Sequence, residues 1–187
     1  MLRTSVSVLA LGLFVLCAGN KRGDAPTTVP AATPAQQAAL LDRVKSLAGT
    51  WEAVDESGKP KEGPGIVFAV SAGGSVVREI MFPGSPYEMV NVYHMDGPTM
   101  VMTHYCASGN QPRMRASAGS PDEVVLKFDS ITNYTENPNH PGYMGGLTLV
   151  MKDKDHLTEK WTSYQEGKSP ADVSFSFVRK ADAAKQS

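Results

Sequence analysis

The chain has 187 residues, of which 41% are hydrophobic and 20% charged, with a formal net charge of −1. That length supports one domain with a sizeable core, and near-neutral charge without a basic stripe argues against nucleic acid as a partner. Two cysteines, Cys17 and Cys106, are too few for the paired cysteines of a zinc module.

The chain begins like a secretory signal peptide over residues 1–19. Arg3 supplies a positive charge, an apolar run follows from Val6 to Cys17, and the small residues Ala18 and Gly19 come next. The run is too short for a transmembrane span, which needs about 20 apolar residues. Cys17 raises the alternative of a lipid anchor, but the large Leu16 before it makes simple export, periplasmic or extracellular, the favoured expectation. Export leaves Cys106 as the single thiol of the folded body, so core packing must supply its stability.

Residues 20–32, rich in Pro, Thr and Ala, read as a flexible tether. The folded domain is expected over 33–180, with a disordered tail at 181–187. Thr33 as N-cap, Pro34 at N1 and Gln36 three residues on form a capping-box signature. Leu40, Leu41, Val44 and Leu47 then fall on one face of an amphipathic helix over 34–48, and Gly49 stops it. Ten strands follow, near 51–54, 66–71, 75–82, 87–95, 99–107, 113–118, 123–129, 147–152, 156–165 and 173–179. Turn residues separate most of them, among them Gly73-Gly74, Asp96-Gly97 and Glu166-Gly167. The expected fold is mainly β, an antiparallel barrel of about 8–10 strands with one N-terminal helix, because closure removes exposed sheet edges. Residues 130–146 break the rhythm and, with Tyr134, Tyr143 and His140 in them, read either as a loop that packs on something, such as a lid or binding loop, or as surface decoration.

If Asp96-Gly97 is a two-residue turn, Tyr93 lies opposite Met100, Asn91 opposite Met102, and Met89 opposite His104. Met89, Asn91, Tyr93, Met95, Met100, Met102, His104 and Cys106 then share one face, which we take as the interior because thioethers adapt to irregular cavities. The Val-rich opposite face is the rival. His104 and Cys106, two apart on a strand, are open to three readings. They pack, they touch a polar ligand, or they begin a metal or nucleophile–base site. Arg113 and Arg115 share a face that could hold a carboxylate, against a plainer reading in which they lie in solvent. Trp161 shares its face with Leu157, Glu159 and Ser163 and reads as core or rim.

Leu47-Ala48-Gly49-Thr50-Trp51, taken with Arg179 at the end of Phe175-Ser176-Phe177-Val178-Arg179, resembles the opening and closing strands of the lipocalin (calycin) superfamily. Tyr93-His94-Met95-Asp96-Gly97, Thr103-His104-Tyr105-Cys106 and Gly109-Asn110-Gln111-Pro112-Arg113 also resemble exported bacterial proteins of calycin type. The resemblance implies a container, with Trp51 at its closed end and Arg179 packed over it. The paired cysteines of many secreted lipocalins are absent, and ten strands exceed their eight. The expected function is binding of a small apolar or amphipathic molecule, with Met89, Asn91, Tyr93, Met100, Met102, His104, Cys106 and Arg113 as candidate contacts. The alternatives are a metalloprotein or enzyme centred on His104 and Cys106, or a protein-interaction module. No cofactor, metal site or catalytic residue is assigned from the sequence, and the ligand stays unnamed.

Overall fold

In a computed structural model, residues 28–116, 120–137, 139 and 142–181 are described. The expected signal segment, Cys17, His140 and most of the expected tether and tail lie outside them. Ten antiparallel strands close into a barrel in simple meander order: β1 (Gly49–Val54), β2 (Ile66–Ser71), β3 (Val76–Met81), β4 (Met89–Asp96), β5 (Thr99–Tyr105), β6 (Gln111–Ala116), β7 (Glu123–Thr132), β8 (Tyr143–Met151), β9 (His156–Tyr164) and β10 (Ala171–Arg179). Each strand pairs with its sequence neighbours, and β1 closes the ring on β10.

The Thr33 capping box forms, with the Thr33 hydroxyl accepting from Gln36 N and the Gln36 side chain accepting from Thr33 N. The helix is two short pieces rather than one, α1 (Pro34–Ala39) and α2 (Leu41–Lys45), broken at Leu40, whose φ of −128° leaves the helical region. Leu40, Leu41, Val44 and Leu47 are all buried in the same core as the strands. The break turns the apolar stripe toward the barrel end formed where β2, β3 and β4 meet, and α2 contacts all three.

That end is locked by the first and last strands. The Trp51 indole N–H donates to Leu47 O at 2.8 Å, and the Arg179 guanidinium carbon lies 4.2 Å from the ring centroid. Arg179 also donates to Ala48 O, Ser46 O and Lys154 O. Gly49, at φ +133°, permits this, because a Cβ there would sit 3.0 Å from an Arg179 nitrogen.

Alternation decides the interior. On β4 and β5, Asn91, Tyr93, Met100, Met102 and His104 are buried, so the Met-rich face is the lumen. The register differs from expectation by two residues: Tyr93 pairs with Met102, Asn91 with His104 and Met95 with Met100. The turn is Gly97-Pro98, not Asp96-Gly97. The expected register would set Pro98 opposite Met95 inside the ladder, where it has no N–H to donate. A shift of two keeps every side chain on its face. The long connection is also shorter than expected, since β7 runs on to Thr132 and β8 begins at Tyr143.

Candidate functional site

The middle of the barrel is filled. Tyr93, Met100, Met102, Met114, Leu126 and Leu147 are at most 1% exposed. Within this packing sit the carboxyls of Glu79 on β3 and Glu159 on β9, both fully buried. The two strands are separated by β2, β1 and β10, so the glutamates meet across the lumen rather than along the sheet.

Each carboxyl is satisfied by a different partner set. Glu79 Oε2 accepts from the Tyr93 hydroxyl at 2.5 Å and from Asn91 Nδ2 at 2.8 Å. Glu159 Oε2 accepts from the Trp161 indole N–H at 2.9 Å. Oε1 of each glutamate has no hydrogen-bond partner, and the two carboxyls lie close enough for each to influence the other's protonation. Like charges this close in a buried site disfavour ionisation of both. Burial raises the pKa of both, and the neighbouring Glu79 charge raises Glu159 further. Two donors on Glu79 against one on Glu159 favour Glu159 as the proton holder and Glu79 as the carboxylate. Burial and the adjacent Glu79 also hold the Tyr93 phenol well above its usual range, so it stays a donor.

The network continues to His104. Asn91 gives its amide hydrogens to Glu79, so its carbonyl oxygen faces His104 Nδ1 at 2.7 Å. Nδ1 must therefore carry the proton, which leaves Nε2 as a bare lone pair. The ring is 1% exposed, and Nε2 has no partner. Burial lowers the His104 pKa to about 4, so the imidazole is neutral at pH 7.

His104 borders a cavity of about 60 Å³, lined also by Met81, Phe82, Met89, Cys106, Met144, Trp161 and Phe175. These residues come from the ends of β3 and β5, the starts of β4 and β8, and the middles of β9 and β10, with the strand termini among them opposite the helix-covered end. The Trp161 ring lies 5.1 Å from His104, and Phe82 meets Phe175 edge-on at 5.8 Å. Phe82 holds a left-handed φ of +54°, a conformation that costs a bulky residue of order 1–3 kcal/mol. Its N–H bonds Gly65 O at 3.0 Å. Cys106 and Met144 also line a second, outward recess with Ser108, Gly142, Tyr143 and Ser163, so they form the rim.

Met144 reaches the pocket through a β-bulge. Met144 pairs with Ser163 and Gly146 with Thr162, leaving Gly145 unpaired. Strict alternation from the buried Leu147 would turn Met144 outward; the extra residue turns it inward. Gly145 has no room for a Cβ, which would lie 2.7 Å from the Tyr164 ring.

Of the candidate contacts, Met89, His104 and Cys106 line the pocket, and Asn91 and Tyr93 support it from behind. Met100 and Met102 are sealed in the filled middle and do not reach it. Arg113 points to the outer wall, because Pro112 and Met114 take the inward positions of β6. There Arg113 and Arg115 share Asp96 and Asp129; Arg115 contacts them at 2.8 and 2.9 Å and Arg113 at 3.5 and 3.6 Å. Glu79, Glu159, Met81, Phe82, Met144 and Phe175 were not singled out from sequence. A signal existed for the glutamates: Glu79 alternates with Val77 and Met81, and Glu159 with Leu157 and Trp161, so each is a charge at an inward position. Among the described residues, no three His, Cys, Asp or Glu side chains cluster as a metal set.

No protein-family model matches the chain, and a search of curated proteins finds no match. Among solved structures, Rv2717c from M. tuberculosis is similar, with a TM-score of 0.53 and 16% identity over 80% of this chain and 99% of that one. At that identity the likeness speaks to the ten-stranded barrel fold. No described helix is long and apolar enough to cross a membrane.

Proposed function

We propose that the chain is a calycin-type binding protein whose pocket, opposite the helix-covered end, takes a small, largely apolar ligand. The ligand presents one hydrogen-bond donor or electron-pair acceptor to His104 Nε2. The observation that carries this reading is that His104, a residue of the pocket wall, has a buried Nε2 without a partner. An unsatisfied buried acceptor costs about 1–3 kcal/mol, and a ligand donor offsets that cost. Met81, Met89 and Met144 in the wall give it freedom to widen around ligands of different shape. Export through the apolar start of the chain belongs to the same reading and rests on sequence alone.

The test is titration of the folded protein with an apolar fluorescent probe. Saturable uptake that is lost on filling the pocket with Met144→Trp supports the reading. Uptake that is absent, or indifferent to that change, overturns it.

One observation favours a second reading, an interaction surface on the outer wall. Phe128, Tyr134, Tyr143 and Tyr164 form a continuous aromatic patch, with Tyr143 stacked on Tyr164 at 5.7 Å. Beside it lies a concavity of about 540 Å³ that includes Lys127, Gly145, Gly146, Lys160 and Tyr164. Exposed aromatic surface of this kind marks contact sites. A Tyr164→Ser change that alters self-association or partner capture while leaving probe uptake intact would favour this second reading.

A further inference from the structure

We propose that the same pocket is a soft-metal site for monovalent copper, bound by His104 Nε2, Cys106 Sγ and the thioethers of Met89 and Met144. This inference rests on the pocket being the binding site and names the electron-pair acceptor that it takes.

The donor set is the first argument. His104, Cys106, Met81, Met89 and Met144 border a single cavity of about 60 Å³, which places one imidazole, one thiol and three thioether side chains around one space. Thiolate and thioether sulfur select Cu(I) over harder divalent ions, which favour carboxylate and water oxygen. Among the described residues, no carboxylate, lysine or arginine borders this cavity. Met81 also borders it, but its sulfur already receives a contact from Asn91 Nδ2 at 3.5 Å, so Met89 and Met144 are the freer donors.

The second argument is independent of the sulfurs. His104 is fixed in the tautomer that a metal ligand needs, by an Nδ1–H bond to Asn91, which is itself held by Glu79. Metal-bound histidines are oriented in this way through the nitrogen opposite the metal. The relay ends in a buried carboxyl pair, and a negative charge behind the imidazole favours a cation in front of it. The Trp161 ring beside His104 adds an electron-rich face toward the same space. Binding releases one proton, from the Cys106 thiol at the rim; His104 has none to lose at Nε2. Cu(I) enters and stays in the same oxidation state, so no electron transfer is required.

The experiment is anaerobic competition for Cu(I) between the full chain and a chromophoric Cu(I) chelator, with parallel methionine-methyl NMR. The expected result is one equivalent bound, with the Met89 and Met144 methyl signals shifted. His104→Gln, Cys106→Ser and Met144→Leu should each weaken binding about 10–100-fold, a loss seen even for outer partners of metal ligands. Cys106→Ser and Met144→Leu alter rim positions and keep volume nearly constant, so they remain informative if His104→Gln folds poorly. Copper retention unchanged in these two variants, or no Cu(I) bound at all, overturns the copper assignment. Uptake of an apolar probe without Cu(I) binding removes this inference alone; absence of both removes the pocket reading with it.

Discussion

Arg179 lies over Trp51, its guanidinium carbon 4.2 Å from the indole centroid, while its nitrogens hold the carbonyls of Ala48, Ser46 and Lys154. The pair joins the last strand to the first and to the end of the helical segment, so it closes the barrel where its ends meet. Trp51→Ala is expected to cost about 3–5 kcal/mol, as for other buried aromatic truncations. Arg179→Met keeps much of the packing but loses the cation–π contact and the charged donors, and should cost about 2 kcal/mol. Urea melts check both, and unchanged midpoints would disprove the closure role.

The stability of the fold should depend on pH through His104. Its folded pKa is about 4, against an ordinary value near 6.5 in the unfolded chain. The unfolded state therefore binds the extra proton between those values, so stability falls as pH drops from about 6.5 to about 4 and levels off below. A shift of that size corresponds to about 3 kcal/mol for this group. His104→Gln should flatten that part of the profile. Equal slopes in wild type and variant would contradict the buried neutral imidazole.

Glu159 acts in the opposite sense. Its pKa is raised by burial and by Glu79, so the native state keeps a proton that the unfolded state has lost above its ordinary range. Its contribution is complete below the unfolded pKa and declines as pH rises toward the folded one. Glu159→Gln offers a permanent N–H to Glu79 and an oxygen to Trp161. It should lessen the loss of stability on the alkaline side. Parallel wild-type and Glu159→Gln profiles from pH 5 to pH 9 would show that Glu159 holds no extra proton in the folded state.

Filling the pocket and filling the core should have separable effects. Met144 stands at the rim on a bulge, so Met144→Trp should abolish probe uptake with little change in melting. Met102 is sealed within the packed middle, so Met102→Trp should cost about 1–3 kcal/mol through overpacking. If Met102→Trp is the milder change in melting, the interior is looser than its burial indicates.

Much of the architecture was legible because its causes are local. Period-two alternation, Gly-containing turns and the Thr33–Gln36 capping box each involve residues a few positions apart, and ten strands with a lumen-facing Met89-to-Cys106 stripe follow from them. The Trp51–Arg179 lock was reached through the resemblance of Gly49-Thr50-Trp51 and the last strand to lipocalins. The hairpin register was missed by two because the turn was assigned to Asp96-Gly97, without weighing that Pro98 cannot serve a ladder.

The site depended on closure. Glu79 and Glu159 are 80 positions apart in sequence and meet only because the ring brings β3 and β9 across one lumen. The interaction of the two carboxyls depends on that meeting, whereas the Glu79–Asn91–His104 relay follows the register of the adjacent strands β3, β4 and β5. Met144 faces inward only because Gly145 is left unpaired against β9, and Arg113 is taken up by Asp96 and Asp129 from two other strands. Alternation assigns a side chain to a face; the shear and bulges of the closed sheet decide which side chains share a point within it.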